Sequence, residues 1–241
     1  NGKLSKNTCS KTIVSIYLNP TQFAPDEDLE SYPQTLDEDL NLLEELKVDA
    51  VFMPTTKQMY YTSKSLNNYE TSLFKKLEGS SRPHFFKGVT TIVAKLFDIV
   101  TPTHAFFGQK DAQQLLIVKN MITDLNYDIM LVDGPTIRNK NGLALSSRNN
   151  YLTPEQQHVA SGIFVCLMLL KTHLDQGQTD ALLLKNLFEK ELGKNPDFSL
   201  DYISIACPKT LNEVEIVTGD VLISTAVFFQ SVRLIDNIAY S

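Results

Sequence analysis

Residues 12–18 (TIVSIYL) form a β-branched and apolar run that closes on Asn19-Pro20, which predicts a buried strand feeding a loop. An acidic stretch follows. Thr35-Leu36-Asp37-Glu38 has the form of a capping box, and Leu36, Leu40, Leu43 and Leu46 keep helical spacing, so residues 36–47 are expected as a helix and 48–53 as the next strand. Residues 60–81 are rich in Asn, Ser and Lys without a clean period and read as a long surface excursion. Beyond Gly88, the positions Val89, Ile92, Val93, Leu96, Phe97 and Val100 mark one face of a helix. A strand at 104–107, a helix at 112–125 and a strand at 128–132 complete an alternation that predicts βαβ units around a parallel sheet.

From Ile137 the texture changes. Residues 138–149 (RNKNGLALSSRN) are polar, with a turn signal at Asn141-Gly142, and Thr153-Pro154-Glu155-Gln156 opens a long helix. A helix at 180–192, ended by Gly193, and strands at 201–206 and 220–229 indicate a smaller α+β domain. The expected division is 1–136, an α/β domain, and 137–241, the smaller one.

Composition adds exclusions. Hydrophobic residues at 43% and charged residues at 21% are ordinary for a folded globular chain. The longest apolar stretch, residues 163–170, falls far short of the roughly 18 residues that suggest a membrane span. A net charge of −6 argues against a nucleic-acid coat, whose affinity scales with clustered Lys and Arg. Three scattered cysteines, Cys9, Cys166 and Cys207, offer neither a disulfide framework nor CxxC spacing, so a reducing, cytoplasmic setting is expected. The chain opens on Asn1, with Lys3, Lys6 and Lys11 ahead of a short apolar run that lacks a cleavage pattern, and reads as missing its true beginning.

Ligands of open parallel sheets bind beyond the carboxyl ends of the strands, so the loops there are searched first. Gly108-Gln109-Lys110-Asp111 sits at a strand-to-helix turn, where backbone can approach an anion; equally, Asp111 caps the helix with Gln114 closing a box and Lys110 solvated. Only four of the 22 basic residues are arginines, and Arg82, Arg138 and Arg148 fall in irregular polar segments. Beside Arg148, Ser146 and Ser147 could wrap a triphosphate, or the segment is a solvated hairpin arm. The amides of Asn19 and Gln22 could orient a hydroxy acid, although an Asn-Pro turn also explains Asn19. Glu78 and Arg82, four apart, read best as a surface salt bridge. His84, His104, His158 and His173 form no metal-ligand spacing, and no metal-binding residues are assigned.

Six segments in register resemble the pantoate–β-alanine ligase family: VSIYLNPTQF (14–23), YPQTL (32–36), LEGSSRP (77–83), FGQKDAQQ (107–114), GLALSSRN (142–149) and RLIDN (233–237). The resemblance implies an α/β, Rossmann-like parallel sheet of nucleotidylyltransferase type with a smaller α+β C-terminal lid domain. It implies condensation of pantoate with β-alanine through pantoyl adenylate, releasing AMP and pyrophosphate, with ATP entering as its Mg2+ complex and the protein acting as a homodimer.

Carried over by motif, Gln22 and Gln114 are the pantoate amides. Asn19 and Arg82 lie beside them, and Val89, Ile92 and Val93 form the apolar wall. Gly108 and Asp111 fall at the ribose with Gln109 also in the nucleotide site, Lys110 at the phosphates, the Ile137 backbone at adenine, and Leu145, Ser146, Ser147 and Arg148 on the phosphate-gripping segment. Glu38 and Asp39 are alternatives for Mg2+ that also suit a helix's first turn. The family's N-terminal strand and HxGH motif are not among these residues, Phe85 stands at a frequent family histidine, and Gln109 at a frequent Glu. An adenylyltransferase that stops at AMP transfer, and a catalytically dead scaffold, are the competing readings. The ligase reading requires the turns that carry Gln22, Lys110 and Arg148 to converge on one crevice.

Overall fold

The computed structural model describes residues 1–25, 27–60 and 69–241. It divides into two compact units, one of Asn1–Gln109 with Gln113–Pro135 and one of Lys110–Ala112 with Thr136–Ser241.

The first unit is α/β. After helix α1 (Gly2–Thr8), strand β1 (Ile13–Ser15) leads through α2 (Leu36–Glu45) to β2 (Ala50–Phe52), and β1 pairs with β2 in parallel. Helix α3 (Thr56–Tyr60), the short α4 (Glu78–Ser81) and the long α5 (Phe85–Val100) precede β3 (His104–Gly108), which α6 (Ala112–Asp124) links to the parallel strand β4 (Met130–Gly134). The parallel strands therefore form two pairs, and β1, β3, α1 and the second half of α5 border a cavity of about 800 Å3. The expected face of α5 is the buried one: Val89, Ile92, Val93 and Phe97 pack with Phe86, and from α6 come Ile117, Val118 and Met121.

The second unit holds α7 (Pro154–Ala160), α8 (Gly162–Asp175), α9 (Ala181–Leu192) and an antiparallel meander of β5 (Phe198–Ala206), β6 (Val221–Phe229) and β7 (Val232–Tyr240). The helices cover one face of the sheet, where Leu167, Leu170, Leu184, Phe188, Ile205, Ile223 and Val227 are fully excluded from solvent. Each such side chain contributes about 1.5–3 kcal/mol on burial.

Several expectations need correction. Thr35 makes no side-chain cap, so the capping box at α2 is not formed; Asp37, Glu38 and Asp39 in the first turn favour the positive helix end instead. The helix stops at Glu45, and Lys47 turns the chain away with φ 54°. The Thr153–Gln156 box is formed, but the helix it opens breaks at Ser161, whose Oγ donates to the His158 carbonyl at 2.6 Å. Of the expected excursion at 60–81, residues 61–68 lie outside the described residues. The remainder is anchored rather than peripheral: Leu73 is buried, and the Gln113 amide donates to the carbonyls of Leu73 (2.8 Å) and Lys76 (2.6 Å) while accepting from the Glu78 N–H (3.0 Å). Strand β7 adds to the expected elements; Asp236 interrupts its apolar alternation and conceals it.

Two close contacts fix the first unit's loops, one polar and one steric. Asp49 accepts from the Thr12 N–H (2.9 Å), Lys6 Nζ (3.0 Å) and Lys11 Nζ (3.0 Å), and these, the backbone bond foremost, hold its carboxyl far below the usual range. A depressed carboxylate stabilises the fold above its unfolded pKa of about 3.9 and loses that contribution as pH falls toward the folded value. Asp49→Asn should therefore flatten the dependence of the melting temperature on pH below about 4, and an unchanged acid limb would contradict the contact's role.

Gly88 is the second. A Cβ there would stand 2.6 Å from the Thr21 carbonyl oxygen, a backbone atom. Gly→Ala inside a helix ordinarily stabilises by about 1 kcal/mol, whereas Gly88→Ala should destabilise by about 1–3 kcal/mol through overpacking. A denaturant midpoint that rises would refute the close approach.

Candidate active site

In the first unit, the chain leaving β1 forms a 3-10 turn over Pro20–Gln22 that is seated against α5. Asn19 is 3% exposed: its Nδ2 donates to the Gly88 carbonyl (3.2 Å), and its Oδ1 accepts from Thr21 Oγ1 (3.0 Å), Tyr60 Oη (2.7 Å) and, at 3.4 Å, the Thr21 N–H. Burial raises the Tyr60 pKa, so the phenol stays a donor at neutral pH. Asn19, expected among the substrate amides, also ties its own loop to α5. Gln22, two residues past Pro20, is only half-buried.

Arg82 departs from the expected bridge to Glu78. Its guanidinium forks onto Glu27, with Nε to Oε1 at 2.6 Å and Nη2 to Oε2 at 2.5 Å, stacks 4.1 Å from the Phe85 ring centre and donates to the Gln22 carbonyl at 3.2 Å. In place of the supposed Glu78–Arg82 surface bridge, Arg82 pairs with Glu27, while Glu78 is buried on α4 and its carbonyl accepts from the Arg82 N–H at 2.8 Å. Arg82 thus grips the backbone that carries Gln22.

Of the three positions expected as an apolar wall, Val89 and Ile92 are packed inside the core, and Val93 lines the cavity beside β1 and β3. At the end of β3, Gly108 faces Gly134 of β4, and the space where a Gly108 side chain would stand is open for 4 Å. A ligand can approach that backbone closely. Gln109 is exposed in the following 3-10 turn, and Gln114 is half-buried in the first turn of α6.

In the second unit, Lys110 and Asp111 are half-buried, and the Lys110 carbonyl accepts from Asn237 Nδ2 at 2.8 Å. The expected Asn141-Gly142 turn is present: Gly142 has φ 97°, its N–H meets the Asn139 carbonyl at 3.0 Å, and Arg138 bridges Ala144 across the arms. Ile137 and Leu145 are joined by a 2.9 Å backbone bond and expose their side chains by 59% and 53%. That leaves a small apolar surface directly ahead of Ser146. The Ser146 Oγ accepts from the Arg148 N–H at 3.3 Å, capping a 3-10 turn over Ser147–Tyr151 in which Ser147 is exposed. The buried Asn149 donates to the Ala144 carbonyl at 3.0 Å and holds the turn to the hairpin.

Arg138, grouped with the anion-binding arginines from sequence, is committed internally. It forks onto Asp236, with Nη1 to Oδ2 at 2.6 Å and Nη2 to Oδ1 at 2.8 Å, and lies 3.8 Å from the Phe164 ring centre. Sequence reasoning missed Glu27, Gln113 and Asp236 as partners. Asp236 had a signal, an acid in register with Leu234 and Ile238; Glu27, in an acidic loop, had none. Cys9, Cys166 and Cys207 are free thiols, and among the described residues no cluster of three His, Cys, Asp or Glu side chains could hold a metal ion. Among them, too, no helix is long and apolar enough to cross a membrane.

These features match known proteins along almost the whole chain. Residues 3–239 match the family described as pantoate-beta-alanine ligase. The chain is 44% identical to the pantothenate synthetase of Thermosipho africanus over 235 residues, 98% of this chain and 84% of that protein. It is also 44% identical to the Moorella thermoacetica pantothenate synthetase, over 94% of this chain and 80% of that one. The crystal structure of the Thermus thermophilus pantothenate synthetase superposes with a TM-score of 0.93 at 37% identity, covering 98% of this chain and 86% of that one. A Francisella tularensis pantoate-beta-alanine ligase, complexed with beta-gamma ATP and beta-alanine, gives 0.76 at 30% identity, covering 98% and 82%. A family match over residues 3–239, with solved relatives of the same α/β architecture, places the chain in the pantoate-beta-alanine ligase family.

Proposed function

We propose that this protein condenses pantoate with β-alanine at the expense of ATP. A pantoate carboxylate oxygen attacks the α-phosphorus, the bond to the β-phosphate oxygen breaks, and pantoyl adenylate and pyrophosphate result. The β-alanine amine, as the free base, then attacks the acyl carbon, and AMP leaves with the bridging oxygen. The observation that carries this reading is the family match over residues 3–239, which takes in all six motif segments.

Geometry within each unit supports the division of labour. Gln22 projects from a loop braced by Asn19, Gly88 and Arg82, which suits an amide that must orient pantoate; Gln114 is its counterpart on α6. Such positioning lowers the barrier by holding the carboxylate in a near-attack geometry. Gly108 and Asp111 serve the ribose, with Gln109 beside them in the nucleotide site, the Ile137 backbone meets adenine, and Leu145 leads the phosphate-gripping segment. Lys110, Ser146, Ser147 and Arg148 contact the phosphates, where fixed cations and hydroxyls stabilise the charge that develops as pyrophosphate leaves. Val93 is the member of the proposed apolar wall that borders a cavity. Family likeness further supports Mg2+ entering with ATP, a homodimer as the working form and a cytoplasmic location.

Incubation of the full-length protein with pantoate, β-alanine and Mg-ATP should yield AMP and pantothenate in equal amounts. A stable dinucleotide product, from AMP delivered to a phosphate-bearing acceptor with no use for the amine, would favour the adenylyltransferase, and no turnover the scaffold. Lys110→Ala should lower kcat/KM for ATP by about 100-fold or more, the scale of losing one charge-stabilising group; an unchanged value would remove Lys110 from the site. Arg82→Lys keeps the charge but loses the fork on Glu27, so the KM for pantoate should rise about 3–10-fold, as for one weakened hydrogen bond, with the KM for ATP unmoved. A rise confined to ATP would overturn the bracing role.

A further inference from the structure

The RLIDN segment carries part of the family likeness, yet the reaction as derived gives its Asp236 and Asn237 no task. Both lie on β7, and they face opposite demands. Asp236 is 5% exposed and receives the fork of Arg138 on both carboxylate oxygens. Arg138 also donates to the Gly142 carbonyl at 3.0 Å and stacks on Phe164, so the ion pair fixes the first arm and the turn of the hairpin that runs into Ser146. The next residue, Asn237, sends its Nδ2 to the Lys110 carbonyl, 127 residues away in sequence and within the same compact unit. Its own N–H donates to Asp236 Oδ1 at 2.8 Å, which locks the two residues to one another.

We infer that Asp236 and Asn237 are positioning residues for nucleotide binding: one β7 dipeptide sets the peptide of Lys110 and, through Arg138, the hairpin ahead of Ser146–Arg148. The inference rests on the phosphate role proposed above for Lys110 and the serine–arginine segment. A buried charge on a rigid strand suits the task. Its bidentate geometry admits one orientation of the guanidinium, and an antiparallel strand paired along its length to β6 transmits little slack.

Asp236→Ala would strand Arg138 in the interior and so confound folding with function, which makes Asn237→Ala the deciding variant. That change deletes the tie to Lys110 and leaves the ion pair in place. In steady-state assays of the full-length protein, N237A should raise the KM for ATP about 3–10-fold, the worth of one hydrogen bond, while the KM values for pantoate and β-alanine stay within about twofold and the melting temperature within a few degrees. The same change in a Lys110→Ala background should add less than about twofold, because Asn237 then has no cation left to place. An N237A effect spread evenly over all three substrates, or one that persists in full without the Lys110 side chain, would overturn the inference and leave the phosphate reading standing. A K110A variant with unaltered ATP kinetics would overturn both.

Discussion

Parallel pairing governs where chemistry can be placed on this chain. Because β1 pairs with β2 and β3 with β4 in parallel, each strand delivers its chain at the same end of its pair, and the segments leaving those ends carry Asn19 to Gln22 and Gly108 to Asp111. A parallel strand cannot turn back through a tight hairpin; it must exit into a loop and a crossover. The loops are consequently polar, chemically rich and in need of restraint. In each case the restraint includes a polar tie at least partly withdrawn from solvent. Asn19 fastens the first loop to Gly88, Arg82 and Glu27 grip the backbone of Gln22, and Asn237 holds the Lys110 peptide.

Ties of this kind trade stability for definition. A half-buried arginine paired with a carboxylate gives up much of its Coulomb gain to desolvation, and an apolar contact would hold a loop at least as firmly. The fork of Arg82 on Glu27 and that of Arg138 on Asp236 supply direction instead: each guanidinium is fixed in plane and spends a further donor on a main-chain carbonyl, Gln22 in one case and Gly142 in the other. The same device thus recurs in both compact units, next to segments to which substrate contacts are assigned.

Much of the fold could be read from the residues. The periodic face of α5, the Thr153–Gln156 box, the Asn141-Gly142 turn and the alternation of strands with helices rest on local rules, and these elements form accordingly. What escaped was non-local. Nothing near residue 73 announces that Gln113 will capture the carbonyls of Leu73 and Lys76, and nothing near Arg82 points to Glu27 rather than Glu78. Strand β7 was hidden because its inward alternation includes an acid, which is tolerable only once Arg138 arrives from 98 residues away. Among the site residues, the motif segments were legible as a set, while the distinction between a side chain that could meet substrate and one that braces a loop required three-dimensional contacts. Asn19 and Arg82 each brace a loop in addition to whatever they contribute to substrate.

Every role proposed for these loops depends on the acyl-adenylate route, and oxygen transfer reports on that route directly. Pantoate labelled with 18O in both carboxylate oxygens, turned over by the full-length protein with Mg-ATP and β-alanine, should pass one labelled oxygen to the phosphate of AMP and keep the other in the pantothenate amide. Unlabelled AMP, or label recovered in inorganic phosphate, would contradict attack of the carboxylate on the α-phosphorus and with it the assignment of these loops to adenylyl transfer.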